Sequence, residues 1–220
     1  MKTIKLEKMK HEWRKHEKTY YLPKTKPELV KVPPFQFITL KGEGNPNSSL
    51  FSECISTLYS LAYPIKMNLK KDPNPPKDCT DFTVYPLEGI WDINDTAKQN
   101  YNGTLNKDDL VFKIMIRQPD FVKADYFYEQ LSTIRQKKDN PLLETVAFET
   151  IEDGLCVQML HIGSYDDEPA SFAKMETFAK NNGLERIGKD HREIYLSDFR
   201  KVAPEKLKTT LRFWVKKTNE

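Results

Sequence analysis

Residues that build metal sites and disulfide frameworks are scarce in this chain of 220 residues. It contains three cysteines, Cys54, Cys79 and Cys156, at wide spacing and without a Cys-x-x-Cys pair, so neither a disulfide framework nor a zinc site is indicated. The four histidines form no His-Glu-x-x-His motif or comparable pair. We therefore expect no metal and no cofactor, and the reducing cytoplasm is the simplest compartment for the thiols.

Long apolar runs and an excess of one charge are also missing. The apolar stretches are short and interrupted, and the N-terminus lacks the apolar core of a signal peptide, so no membrane segment is expected. The 35 Lys and Arg residues are interspersed with 32 Asp and Glu residues, which leaves a net charge of +3 and no gathered basic patch for nucleic acid. With 38% hydrophobic and 30% charged residues, the composition is that of a globular protein with one core, or two halves that share one.

The chain divides into a charged N-terminal extension, residues 1–27, and a domain of residues 28–217. The extension has a helical rhythm up to Lys18, followed by Tyr20 and Tyr21, which we expect to pack on the domain. Within the domain, alternation and helical spacing predict both strands and helices. The predicted strands are 35–40, 81–91, 110–117, 145–151, 155–162, 191–198 and 210–215. The predicted helices are 48–63, 119–138 and 170–182.

Two local signals mark where these elements are expected to end. Pro64 is expected to stop the first helix, because proline cannot donate to the helical backbone. The sequence Glu152-Asp153-Gly154 is a turn signal between the strands 145–151 and 155–162.

The two halves of the domain share one order of elements. Strand, glycine-containing loop, helix, strand, strand describes residues 35–117, and the same description fits residues 155–215. An internal βαββ repeat is the economical explanation. If the strands join into one curved antiparallel sheet with the helices on one side, a concave opposite face stays exposed near a pseudo-twofold axis. We expect that face to be the ligand site.

Glu193 lies in the middle of the predicted strand 191–198. Strand alternation places Glu193 and Tyr195 on one face, with Arg192 and Ile194 on the other. One interpretation is that the first face is solvated, as one side of an antiparallel sheet often is, and that the carboxylate is inert. The other is that this face lines a ligand cavity, in which Glu193 supplies the charge and Tyr195 a ring and a hydroxyl.

Several aromatic side chains are candidates for the walls of such a cavity. They are Tyr85, Trp91, Tyr165, Tyr195 and Tyr126. Each alone is more often a core or surface residue, but several beside one carboxylate can hold a flat apolar or cationic molecule by stacking and cation-π attraction. Glu88 is the second acid, ranked below Glu193 because Pro86 and Gly89 leave the direction of its side chain open.

A buried Glu has a raised pKa unless a cation or a hydrogen-bond donor offsets its desolvation. Two functions are consistent with such a residue. In a binding protein, an organic cation supplies the missing charge. In an enzyme, Glu193 is a general base that orients water, while Tyr195 or another hydroxyl donates a hydrogen bond to the oxygen on which charge develops.

Three short motifs occur in a defined order along the domain. They are Pro86-Leu87-Glu88-Gly89-Ile90-Trp91, His161-Ile162-Gly163-Ser164-Tyr165-Asp166-Asp167-Glu168-Pro169 and Arg192-Glu193-Ile194-Tyr195-Leu196-Ser197-Asp198. Together they resemble the GyrI-like small-molecule-binding family, over roughly residues 20–217 and most closely in the last third.

The resemblance implies an α+β fold in which duplicated βαββ (tandem SHS2-like) units form one curved antiparallel sheet, with helices on one face and a central ligand pocket. In multidrug-sensing transcription activators of this family, a central Glu meets lipophilic cationic drugs, and Glu193 matches that position. Some stand-alone members hydrolyse cyclopropane-bearing genotoxic compounds with a pocket Glu and an aromatic hydroxyl. Trp91 matches the Trp of the first motif, and Tyr165 matches the Tyr of the second.

Three hypotheses follow from the residues and the resemblance. The first is binding of hydrophobic, aromatic and cationic small molecules. The alternative is a hydrolase that opens strained electrophilic rings, with Glu193 and Tyr195 as catalytic residues. The third, given least weight, is inhibition of a partner such as DNA gyrase by surface contact, since a net charge of +3 suggests no acidic, DNA-mimicking surface.

The sequence also departs from the family's pattern. Asp92 follows Trp91 where a second aromatic would be common, which puts the substrate in doubt, and Phe199 replaces the Pro expected after Asp198. The residues ahead of the domain are too few for a helix-turn-helix module, so direct DNA binding is not expected.

Overall fold

Two βαββ units, one after the other in the chain, build one sheet and two helices that cover it. The structure is a computed structural model and describes residues 10–218. Its elements in chain order are α1 (Trp13–His16), α2 (Lys18–Tyr21), β1 (Glu28–Val32), β2 (Phe35–Glu43), α3 (Ser49–Lys71), β3 (Leu87–Ile93), α4 (Asp95–Gln99), β4 (Leu110–Gln118), α5 (Ala124–Arg135), β5 (Ala147–Ile151), β6 (Gly154–Ile162), α6 (Glu168–Asn181), β7 (Leu184–Arg186), β8 (His191–Tyr195) and β9 (Lys208–Lys217). The units are β2-α3-β3-β4 and β6-α6-β8-β9, so the predicted repeat is confirmed.

The strands pair antiparallel in a sheet that curves into a half-barrel. Its order is β1-β6-β9-β8-β3-β4-β2-β5, with β7 beside the end of β9. The strands β3 and β8 are neighbours in the middle, and each is followed outward by the last and then the first strand of its own unit. The pseudo-twofold axis therefore passes between β3 and β8. The predicted architecture of one curved sheet with helices on one side is confirmed.

Two short links show how far the sheet curves. Residues 33–34 join β1 to β2, and residues 152–153 join β5 to β6, although the joined strands lie towards opposite ends of the strand order. Two linking residues span at most roughly 11 Å between the flanking Cα atoms, so the two ends of the sheet must approach each other there. The turn signal at residues 152–154 thus joins strands that do not pair with each other: β5 pairs with β2, and β6 with β1.

The helices α3 and α6 cover the same face of the sheet. Helix α3 packs on β2 and β4, and α6 packs on β6. The buried residues beneath α3 include Ile38, Leu40, Ile114 and Ile116, and those beneath α6 include Val157, Met159, Leu211 and Phe213. Burial of such a side chain contributes about 1.5–3 kcal/mol, so these two clusters hold the helix layer on the sheet. Within residues 10–218, no helix combines the length and the apolar character needed to span a bilayer.

Helix α3 continues through Pro64, so the predicted end before this residue is wrong. The helix begins as predicted, with the Ser48 hydroxyl accepting a hydrogen bond from the Phe51 amide at 3.2 Å. An interior proline costs about 3 kcal/mol. Beyond it, however, Ile65 and Leu69 are buried and extend the apolar stripe of the helix. Their burial offsets that cost.

The N-terminal segment, residues 11–22, lies against the sheet face opposite the helices. Trp13 and Tyr21 are buried there. Side chains of β6 and β9 donate hydrogen bonds to backbone oxygens of this segment: Gln158 to Thr19 at 2.7 Å, Arg212 to Tyr20 at 2.5 Å and Thr210 to Tyr21 at 2.8 Å. The expectation that this concave face is exposed is therefore wrong, because the chain's own N-terminal segment covers it.

Candidate functional site

Glu193 faces the helix layer rather than the concave face. On β8 it lies opposite Gly89 of β3 on one side and Leu211 of β9 on the other. Leu211 packs beneath α6 and Trp91 packs beneath α3, so alternation places Glu193 between the two helices. The site therefore lies at the pseudo-twofold axis, as expected, but on the other face of the sheet.

The carboxyl group of Glu193 is held by donors from its own strand. The side chain is buried, with 8% of the residue exposed. Nε2 of His191 lies 2.9 Å from Glu193 Oε1, and the hydroxyl of Tyr195 hydrogen-bonds to the same carboxyl group. All three residues alternate onto one face of β8. Trp91 then fixes the tyrosine, since its Nε1 donates to the Tyr195 hydroxyl at 2.7 Å.

A second carboxyl group, Glu168, meets Glu193 from the first turn of α6. Glu168 is buried, and one of its carboxyl oxygens lies within 4.8 Å of a Glu193 carboxyl oxygen. Burial and the adjacent charge of Glu193 raise the pKa of Glu168 well above its usual range. Oε1 of Glu168 is buried without a hydrogen-bond partner among the described residues. Sequence reasoning missed this residue, because an acid in the first turn of a helix is normally a solvated partner of the helix dipole.

Aromatic rings surround the two acids. Tyr165, in the turn before α6, lies edge-on to Tyr195 with 6.0 Å between ring centroids, and Phe172 of α6 lies edge-on to His191 at 4.7 Å. These four side chains are half-buried, so the cleft opens to solvent along them. Burial and the charge of Glu193 raise the pKa values of Tyr165 and Tyr195, and both tyrosines therefore keep their protons and remain hydrogen-bond donors.

Gly89 provides the space in which Trp91 and Tyr195 meet. A Cβ atom at position 89 would lie 2.7 Å from Trp91 Nε1 and 3.3 Å from the Tyr195 hydroxyl. We therefore expect Gly89→Ala to displace the indole, break the bond from Trp91 to Tyr195 and destabilise the protein by about 1–3 kcal/mol in urea unfolding. The matched test is the same substitution in a Trp91→Phe background, where the penalty should shrink. An equal penalty in both backgrounds would contradict this explanation.

Glu168, His191 and Glu193 also form a group of metal-ligand types. Their ligand atoms lie within 4.8 Å of one another, and no other group of three among residues 10–218 is as close. His191 hydrogen-bonds to Glu193 within the group, and Glu168 reaches the same carboxyl group from α6. The cluster therefore needs no ion to explain its geometry.

Three predicted site residues lie elsewhere, and the first is Glu88. The strand β3 is regular from Leu87 to Ile93, so Glu88 faces away from Trp91 and onto the concave side. There it is 2% exposed, accepts a hydrogen bond from Arg192 Nη1 at 2.8 Å and contacts the Tyr21 hydroxyl at 3.3 Å. The sequence left the direction of this side chain open, and the structure turns it away from Glu193 and pairs its carboxyl group with Arg192.

Tyr85 and Tyr126 are also separate from Glu193. The Tyr85 hydroxyl donates to Glu17 of the N-terminal segment at 2.6 Å, and the guanidinium of Arg117 lies 4.7 Å from the Tyr85 ring centroid. Tyr126 is half-buried on α5, where burial and the charge of Asp72 raise its pKa. Asp72 follows the last residue of α3. The first turn of this helix, which contacts Trp91, is roughly 30 Å away. Neither tyrosine can line the cleft at Glu193.

Comparisons with known proteins agree with this architecture. The family described as GyrI-like small molecule binding domain matches residues 25–216. A hydrolase from Listeria innocua is 35% identical with a TM-score of 0.82, over 94% of this chain and 100% of that chain. A second hydrolase structure from Listeria innocua gives 34% identity and a TM-score of 0.84 over 94% of this chain and 100% of that chain. An uncharacterized conserved protein from Listeria innocua is also 35% identical, with a TM-score of 0.82 and the same coverage of 94% and 100%. A comparison with curated proteins found no match.

Proposed function

This chain belongs to the GyrI-like small-molecule-binding family, and from this premise we propose that it is a hydrolase of lipophilic electrophiles that bind between α3 and α6. The observation that carries the proposal is the pair of buried carboxyl groups, Glu193 and Glu168, in an aromatic cleft. Burial and the neighbouring Glu193 raise the pKa of Glu168, which favours Glu168 as the proton donor and Glu193 as the proton acceptor of the pair. An acid and a base side by side are what hydrolysis by general acid–base catalysis requires.

Glu193 is proposed to activate the water. Its carboxyl group is oriented by His191 and Tyr195, so an oxygen can accept the proton of a water molecule in the cleft. Once Glu193 is protonated, Tyr195 no longer donates to a charged carboxylate. Its hydroxyl can then donate to the substrate oxygen on which negative charge develops.

The proposed substrate class is a neutral compound with a cyclopropane conjugated to a carbonyl group. The water oxygen bonds to a ring carbon, and the water proton passes to Glu193. The carbon–carbon bond of the strained ring breaks, and its electron pair moves to the conjugated carbonyl oxygen. That oxygen then takes up one proton from solvent and Glu193 returns the water proton to solvent, so the product differs from the substrate by one water and nothing is oxidised or reduced. The rings of Trp91, Tyr165 and Phe172 supply stacking surfaces for such a flat molecule.

A spirocyclopropyl cyclohexadienone tests this proposal directly. It should gain one water and become a hydroxyethyl phenol faster with the protein than in buffer, and water labelled with heavy oxygen should place the label in the alkyl hydroxyl, as mass spectrometry would reveal. Tyr126→Phe is the matched control, because the structure places Tyr126 on α5 away from Glu193, and this variant should retain the full rate. If the protein does not accelerate ring opening, hydrolysis of this substrate class is excluded.

A second function, binding of aromatic cations without turnover, is favoured by one further observation. The same cleft combines aromatic faces with an acidic pair, and cation-π attraction together with a buried carboxylate stabilises an organic cation. Tight binding of an aromatic cation by a protein that opens no strained ring would support this function over the hydrolase.

A further inference from the structure

It is unusual for two acids to lie in contact at the centre of one cleft, because two charged carboxylates that are so close repel each other. Glu168 and Glu193 come from different elements, α6 and β8, and both are more than nine-tenths buried. A carboxyl oxygen of Glu168 lies within 4.8 Å of one of Glu193, so a proton on either group would relieve the repulsion between them. When two carboxyl groups share a site in this way, one of the two proton affinities is strongly raised.

The free oxygen of Glu168 indicates that this group has a role towards a ligand. Its Oε1 is buried and has no hydrogen-bond partner among residues 10–218. A buried polar atom without a partner costs about 1–3 kcal/mol, and a ligand group that reaches it recovers that energy. A cation placed against Glu168 and Glu193 would also remove the repulsion that keeps the proton between them.

We propose that Glu168 is a second ligand-binding carboxyl group and that it carries one proton beside Glu193 when no ligand is bound. An organic cation releases this proton when it binds. The inference rests on the proposed ligand site but requires no turnover. It divides ligands into two classes. A cation binds the doubly charged pair and expels the proton, whereas a neutral ligand with a carbonyl oxygen accepts a hydrogen bond from protonated Glu168 and keeps the proton in place.

The direction of the pH dependence follows from this exchange. In the acidic range, where Glu168 is protonated, the affinity for a cation should rise by up to about tenfold per pH unit, because each unit makes proton loss easier by 1.36 kcal/mol. At higher pH, where the proton is already lost, the affinity should level off. The affinity for a neutral carbonyl ligand should change in the opposite direction.

Other titratable groups face this pair, and the experiment must distinguish their protons from that of the pair. Asp166 lies in the turn before α6 and adds to the negative field at Glu168, Tyr165 and Tyr195 face both acids, and His191 bonds to Glu193. The tyrosines stay protonated, since their pKa values are raised. Because His191 contacts the same carboxyl group, the experiment must distinguish it from Glu168.

Titration calorimetry with ethidium, a permanently charged aromatic cation, tests the proposal across roughly pH 5 to 9. Two buffers of different ionisation enthalpy count the protons released, and phenanthridin-6-one, a neutral lactam with a carbonyl oxygen, is the matched ligand. At pH values below the plateau, we expect ethidium to release close to one proton from wild type, and phenanthridinone to release none. Glu168→Gln should abolish both the proton release and the pH dependence of affinity.

Two further variants make the outcome decisive. Asp166→Asn should keep the proton release, because the Asp166 side chain is 77% exposed and paired with Lys107 at 2.9 Å. His191→Asn is measured only to identify the group that loses the proton, because His191 bonds to Glu193 and is not a neutral control. Proton release that persists in Glu168→Gln but disappears in His191→Asn would assign the proton to the imidazole and overturn the proposal. Absence of proton release in wild type, or of any ethidium binding, would overturn it as well. Because ring opening is measured separately, failure of the hydrolase proposal is distinguishable from failure of this one.

Urea unfolding of Glu168→Gln would test whether this variant folds and would provide an independent check. The raised pKa of Glu168 means that the native state keeps a proton that the unfolded chain has already lost. The stabilisation is therefore present below the unfolded pKa of Glu, about 4.3, and is lost as pH rises through the folded value. In urea unfolding, Glu168→Gln should become progressively more stable relative to wild type as pH increases. A pH-independent difference between the two proteins would contradict a protonated Glu168.

Discussion

Replacement of Glu193 by Gln should slow the ring-opening reaction by about 10²- to 10⁴-fold, the range that a general base contributes. The amide is nearly isosteric with the carboxyl group and can still accept a hydrogen bond, so His191 and Tyr195 keep a partner. It cannot accept a proton from water. The loss should therefore appear in kcat, while KM for the neutral cyclohexadienone changes little, because the interaction removed is made mainly in the transition state.

The matched control for this substitution is Glu149→Gln. Glu149 is a half-buried acid on β5 that bonds to Lys113 at 2.7 Å and to Thr39 at 2.7 Å, away from the cleft. This variant removes one negative charge without touching the proposed base, so its rate should stay near that of wild type. If Gln at 193 leaves kcat unchanged, Glu193 is not the base. If both variants slow the reaction equally, the effect is one of net charge.

The repeated unit and its sheet were predictable because they depend on local periodicities. The spacing of Cys54, Leu58 and Leu61 predicts an amphipathic helix, and the alternation around Glu193 predicts which residues share a face of the strand. The partners of Glu193 on its own strand follow from the same alternation. Predicting the contact between Trp91 and Tyr195 required one further inference, that the two units join through the strands nearest their pseudo-twofold axis.

The face on which the site lies could not be predicted in the same way. Alternation separates Glu193 from Arg192 but does not decide which of the two faces meets the helices. The sequence pattern predicts a sheet with helices on one face and an open concave face. In the structure, however, Arg192 and Asp153 form a buried network on the concave face, beneath Tyr21. A buried arginine has no local signature, since its partners are distant in the chain.

Glu168 was missed for a related reason. Its neighbours Asp166 and Asp167 are exposed, and three acids before a helix usually complement the helix dipole in solvent. Only the packing of α6 against β8 turns Glu168 towards Glu193. The same packing gives the site its second carboxyl group, so the feature that most affects the proposed chemistry arises from tertiary structure rather than from a motif.

The largest expected loss of stability comes from Asp153→Ala on the concave side of the sheet. Asp153 is buried, with Oδ1 at 2.7 Å from Arg192 Nη2 and Oδ2 at 3.0 Å from Arg212 Nη1. Removing this carboxylate leaves two buried guanidinium groups short of one partner, which should cost about 3–5 kcal/mol in urea unfolding. Glu152→Ala is the matched control: the neighbouring side chain is exposed, so the change should stay within about 0.5 kcal/mol.

The pH dependence of this difference tests its electrostatic origin. Burial alone would raise the pKa of Asp153, but Arg192 and Arg212 outweigh it and lower the pKa below its usual value. A lowered folded pKa means that the stabilisation is fully present above the unfolded pKa, about 3.9, and is lost as pH falls through the folded value. The stabilities of wild type and Asp153→Ala should therefore converge in acid. A constant gap down to low pH would indicate that lost packing, rather than the ion pairs with Arg192 and Arg212, accounts for the destabilisation.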